Sequence, residues 1–81
     1  MRITVRLFAA HREAAGTNTY IADLPSGATV SDAYARVCGS FPSIAQSGRA
    51  TAFALNRAHV LGDEPLHDGD EVAILPPVAG G

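Results

Sequence analysis

Apolar and polar residues alternate from the start of the chain. Ile3, Val5 and Leu7 fall on one side of residues 2–8, with Arg2, Thr4, Arg6 and Phe8 on the other. That two-residue period predicts a strand with one buried face. Residues 9–15 are alanine-rich around His11, Arg12 and Glu13 and run into Gly16, which predicts a short helix closed by a glycine just past its end. His11 is expected on the surface of that helix. A second strand is predicted over Thr19–Asp23, followed by a turn at Leu24-Pro25-Ser26-Gly27.

The period changes over residues 29–38. Val30, Ala33, Tyr34, Val37 and Cys38 share one helical face. Thr29 with Asp32 three positions later predicts a capping box, and Gly39 followed by Pro42 should end the helix. Residues 40–50 carry no clear period and leave room for one more helical turn. Alternation returns over 51–55, with Phe53 and Leu55 inward, then a turn at Asn56-Arg57 and a short edge segment from His59-Val60. Gly62 to Pro65 reads as a loop. Asp68-Gly69-Asp70 predicts a tight turn, because glycine supplies positive φ and aspartate bonds to nearby backbone. The last strand is Glu71–Leu75, with Val72 and Ile74 inward.

A hairpin, a crossover helix and further strands imply one mixed sheet with the helix packed on one face. The first and last strands can then lie side by side in its middle. This is an α+β chain of the β-grasp, ubiquitin-like kind, with a domain over residues 1–75 and an extended arm over 76–81. The 81 residues suit one modest core and not two.

Composition narrows the possible functions. The formal charge is −2 and the pI about 5.8, so no basic surface favours nucleic acid. All six basic residues are arginines and there is no lysine, which leaves no side-chain amine for isopeptide or Schiff-base chemistry. The single cysteine, Cys38, cannot form an intrachain disulfide and is expected to be structural on the helix face. Arginines interrupt the N-terminal apolar run, against a signal peptide. No stretch approaches the roughly 18 apolar residues of a membrane helix. The expectation is a soluble cytoplasmic protein that neither enters membranes nor binds nucleic acid. His67, Asp68 and Asp70 crowd one turn without a second cluster to complete a metal site, so a solvated turn is expected and no metal. His11, Glu13 and the serines compose no triad.

The end of the chain carries the chemistry. Pro76-Pro77-Val78-Ala79-Gly80-Gly81 cannot continue a central strand, since consecutive prolines fix φ and remove donors. They favour a stiff extended arm. Six extended residues reach roughly 20 Å, enough to carry the Gly81 carboxylate into another protein's site. Glycines let the tip pass a narrow channel. A carboxylate becomes a useful electrophile once adenylated, and sulfur attack then yields a thiocarboxylate. By alternation, Phe8 and Leu75 share the sheet face away from the helix, with Ala52, Ala54 and Ala73 keeping it flat and Arg6 at its border. An exposed aromatic beside an exposed leucine predicts a docking patch.

The run Asp68-Gly69-Asp70-Glu71-Val72-Ala73-Ile74-Leu75-Pro76-Pro77-Val78-Ala79-Gly80-Gly81 resembles the small subunit of molybdopterin synthase. Leu7-Phe8-Ala9, Arg12-Glu13 with Gly16, and Leu24-Pro25 with Thr29-Val30 resemble that family's first strand, first helix and approach to the main helix. The resemblance implies a cycle. An ATP-dependent enzyme adenylates Gly81, and a sulfurtransferase supplies the sulfur for the thiocarboxylate. The carrier then docks on the large synthase subunit, in a heterotetramer, to convert a cyclic pyranopterin monophosphate to the dithiolene. The catalytic side chains are expected on the large subunit, and the carrier should hold no cofactor except its terminal thiocarboxylate. The resemblance also places His59 near the docking patch, where an apolar residue is more usual in the family. The alternatives are a sulfur carrier for thiazole synthesis, a protein modifier joined to target lysines, and a ubiquitin-like binding module without tail chemistry.

Overall fold

The structure, a computed structural model, describes residues 1–46, 50 and 52–76. Among these, the chain forms β1 (Arg2–Leu7), α1 (Ala9–Ala15), β2 (Thr19–Asp23), α2 (Val30–Ser40), α3 (Pro42–Gln46), β3 (Ala52–Leu55), β4 (Ala58–Val60) and β5 (Glu71–Leu75). The five strands form one sheet in the order β2-β1-β5-β3-β4. β1 and β5 pair in parallel at its centre, Thr4 opposite Glu71 through Leu7 opposite Ile74, and the other pairs are antiparallel. This is the expected β-grasp.

One face of the sheet makes the core. Ile3, Val5 and Leu7 from β1 meet Val72 and Ile74 from β5 under Val30, Ala33 and Val37 of α2 and Ile44 of α3, all essentially inaccessible to solvent. Burying each of the larger side chains stabilises the fold by about 1.5–3 kcal/mol before chain entropy is counted. Phe53 and Leu55 point to the same side but stay half-buried near the sheet's edge. Tyr34 meets the Phe53 ring edge-on at 5.6 Å, and its hydroxyl accepts the Ala50 N–H at 3.2 Å.

The capping box forms as the sequence predicts. Thr29 Oγ1 accepts from the Asp32 N–H, and the Asp32 carboxylate accepts from the Thr29 N–H at 2.8 Å. The next two N–H groups of the helix, on Val30 and Ser31, donate to the carbonyls of Glu64 and Gly62. The loop after β4 therefore satisfies donors that a helix start leaves open. Gly16 (φ 74°) ends α1 in the left-handed region, and Gly69 (φ 87°) turns the chain into β5. Asn56 and Arg57 both have positive φ, the two-residue hairpin turn whose twist suits its strands.

Two expectations need correction. His11 does not sit on the surface of α1; it is fully buried. The inward face of α1 is His11 with Ala14 and Ala15, which pack toward the core, while Arg12 and Glu13 face solvent. Gly39 does not end α2, which runs on through Ser40. Gly39 lies on the exposed side, where a helix tolerates it at modest cost. The exit is set by Phe41, whose N–H bonds the Val37 carbonyl at 2.8 Å and whose ring meets Tyr20 edge-on at 5.5 Å. Pro42 then opens α3 at a position where its missing N–H costs nothing.

Candidate functional site

The opposite face of the sheet is left uncovered by α2, and the registers fix what it displays. One row crosses all five strands: Thr19, Arg6, Ala73, Ala54 and His59. Beside it run Ile21, Thr4 and Glu71 in one direction, and Leu75 with Ala52 in the other. Phe8 follows directly on Leu7, the partner of Ile74, and so lies at the end of β1 beside Leu75. The face therefore brings together Phe8, Leu75 and Arg6, which the alternation singles out, while His59, which the resemblance adds, lies on the same face at the edge strand β4. His59 is separated from the aromatic end by the alanines Ala54 and Ala52.

Phe8 is 37% exposed and Leu75 is half-buried. Arg6 lies across the Phe8 ring at 5.9 Å from its centroid and reaches the Glu71 carboxylate at 3.7 Å. Both charged side chains are well solvated, so the ion pair adds at most about 1 kcal/mol. It keeps the guanidinium beside the aromatic ring, between β1 and β5. Because β1 and β5 are parallel, Phe8 and Leu75 both mark the end of the sheet from which Pro76 leads out of β5. An apolar patch and the root of the arm are thus adjacent. Pro77, Val78, Ala79, Gly80 and Gly81 lie outside the described residues.

Sequence reasoning overlooked two members of this face. Ile21, 49% exposed, sits outward between inward Tyr20 and Ala22, and the alternation of β2 was sufficient to place it. Glu71 meets Arg6 only through the parallel pairing of β1 with β5, and no local pattern gives that register.

The turn ahead of β5 is solvated, as expected, and is also tied down by hydrogen bonds. Asp70 accepts from the His67 N–H at 2.7 Å and from Asn56 Nδ2 at 3.0 Å, and Asp68 accepts from the Arg2 N–H at 2.7 Å. The Asn56 hydrogen bond, followed by that of the His67 N–H, holds the Asp70 carboxyl below its ordinary value of 3.8, against a smaller opposing effect of burial and with a still smaller contribution from the His67 charge. Among the described residues no three His, Cys, Asp or Glu side chains gather as a metal site would require, and no helix is long and apolar enough to cross a membrane. Cys38 is half-buried on α2. A groove of about 670 Å³ lined by Leu24, Pro25, Ala28, Asp32 and Arg36 runs beside α2, away from the arm root.

The chain matches the model of the ThiS family over residues 5–81. It is 41% identical to the molybdopterin synthase sulfur carrier subunit of Chlamydomonas reinhardtii, over 100% of both chains. Among solved structures, it is similar to SAMP1 from Haloferax volcanii, with a TM-score of 0.88, 29% identity and 100% of both chains covered. It is also similar to a chain in the complex of subunits 1 and 2 of the molybdopterin-converting factor from Helicobacter pylori, with a TM-score of 0.67, 26% identity and 100% of both chains covered. With a β-grasp fold, a matched family model and full-length likeness on the page together, the chain belongs to the ThiS family of ubiquitin-like proteins.

Proposed function

We propose that this protein is the sulfur-carrier subunit of a molybdopterin synthase. The observation that carries the reading is the likeness to a molybdopterin synthase sulfur carrier subunit along the whole chain, arm included, at 41% identity. Gly81 is the working residue. An ATP-dependent partner adenylates its carboxylate, a sulfurtransferase converts the acyl phosphate to a thiocarboxylate, and the large subunit uses that sulfur on a cyclic pyranopterin monophosphate. Phe8, Leu75, Arg6 and His59 form the surface that meets the large subunit, and Pro76 to Gly80 carry the terminus into its site. The likeness to a chain of the Helicobacter pylori two-subunit complex supports a large-subunit partner. The carrier's own part is positioning: a rigid sheet holds the arm root, and the stiff prolines lower the entropy lost when the arm enters a channel.

The test is removal of the working group. A chain lacking Gly81 should melt as the native chain does and form no dithiolene with the large subunit and a sulfur source. Normal turnover by that chain would end the carrier reading. A second reading, a protein modifier, is favoured by the likeness to SAMP1, a small archaeal modifier protein. Intact-mass analysis of protein from its native cell separates the two, through a terminal thiocarboxylate in one case and an isopeptide adduct in the other.

A further inference from the structure

An activated C-terminal acyl group reacts with the first accessible amine it meets, and identical copies of the carrier are among its closest neighbours. The sequence has no lysine, and its six basic side chains are all guanidinium groups. These stay protonated at physiological pH and do not accept acyl groups. The remaining aliphatic amine in the sequence is the α-amine of Met1. That group is built into the sheet: it donates to the Leu24 carbonyl at 2.7 Å, while the Leu24 N–H donates to the Met1 carbonyl at 2.9 Å. The pair adds a rung to the β1–β2 ladder, and the Met1 side chain packs against the core. The one thiol, Cys38, is half-buried on α2, and any acyl transfer to it is reversed by other thiols.

We propose that this chain is an acyl donor that carries no lysine to accept its own acyl group and holds its α-amine half-buried and hydrogen-bonded at the end of the sheet, so that its activated terminus persists among identical copies until a partner's nucleophile reaches it. The inference rests on Gly81 being activated, as proposed above. The reaction avoided is aminolysis. An amine nitrogen attacks the Gly81 carbonyl carbon, a C–N bond forms, the C–S or C–O bond to the leaving group breaks with its electron pair, and the amine proton passes to water. The resulting amide does not revert, so each such event removes a carrier permanently.

The test installs a Gly81 thioester chemically, by thiol cleavage of an intein fusion, in the presence of excess free thiol. The native chain is compared with Arg12→Lys, with Arg57→Lys and with a chain carrying Gly-Ser-Gly ahead of Met1. Both arginines are exposed. Concentrated samples are held near pH 8, where about half of an unhindered α-amine is deprotonated, and followed by intact mass; amide-linked or cyclised product should be at least about tenfold lower in the native chain than in the other three. Equal amide formation by the native chain would show that the Met1 amine is accessible and would overturn the proposal. So would lysine variants that form no amide, because the missing lysines would then have no consequence. Since no activating enzyme is involved, either failure leaves the sulfur-carrier reading intact, to be judged by the Gly81 deletion.

Discussion

Replacing Asp70 with alanine tests how the arm's strand is anchored. The carboxylate accepts from the His67 N–H and from Asn56 Nδ2. Asn56 in turn binds the backbone of Glu71 twice, accepting its N–H at 2.9 Å and donating to its carbonyl at 2.8 Å. One side chain therefore links the β3–β4 turn to the first residue of β5. The Asp70 side chain is 14% exposed, but both donors belong to exposed residues and can be rehydrated once the carboxylate is gone. Hydrogen bonds to a charged group contribute about 1.5–3 kcal/mol each when shielded, so the wetter pair here should contribute about 2 kcal/mol together. For a domain of this size that lowers the melting temperature by about 8–16 °C. The pH dependence has a definite sign. The folded state holds the Asp70 carboxyl below 3.8, so the unfolded chain binds the proton more readily. The stabilisation is then complete well above that value and fades as the pH falls through it toward the lower folded-state value. Circular dichroism melts of native and Asp70→Ala protein at neutral pH and in steps down the acid limb check both statements. A difference under about 2 °C at pH 7, or one that persists undiminished to the most acidic step, would refute the reasoning.

Phe8→Ala and Leu75→Asp should each weaken binding to the large subunit by at least about 1 kcal/mol in calorimetric titration, if they anchor a desolvated patch; unchanged affinities would remove the open face from the interface. Thr29→Ala breaks the capping box and should cost about 1 kcal/mol in denaturant unfolding with an unaltered m-value. Replacing Pro76 and Pro77 with glycines should slow dithiolene formation while adenylation of Gly81 continues, since stiffness matters for channel insertion and not for the carboxylate itself; equal rates for both chains would argue that the prolines are mere spacers.

Much of the fold was legible because its elements announce themselves locally. The alternation in β1 and β5, the Thr29–Asp32 capping box and the Asp68-Gly69-Asp70 turn each state their conformation within a few residues. His11 was misread because α1 is too rich in alanine to have an obvious apolar stripe, and the inward position is occupied by a residue usually found near water. Gly39 was misread because a glycine ends a helix only when the following residues supply a cap, and here the helix runs two residues further, to Ser40, where Phe41 caps it and meets Tyr20 edge-on. The open face was half legible. Alternation puts Phe8, Leu75 and Ile21 outward, but their neighbours across strands depend on a parallel register between opposite ends of the sequence. For the arm the sequence offers composition alone, two prolines and two glycines, and the role proposed for it would depend on a partner's site that no pattern in this chain encodes.

The parallel pairing of β1 with β5 has a consequence for biosynthesis. The sheet's two central strands are the first and the last to be made, and such distant contacts form slowly because a long loop must close first. During translation the emerging chain has β1 with only β2 beside it, and a lone hairpin is barely stable in water. The domain can therefore close only after Glu71–Leu75 has left the ribosome, and the arm follows directly behind that strand. A chain broken off before β5 lacks one of the two central strands together with the C-terminal glycines, and should stay unfolded. Any partner that recognises the folded sheet thus meets only chains synthesised through the strand that leads into the C-terminal arm.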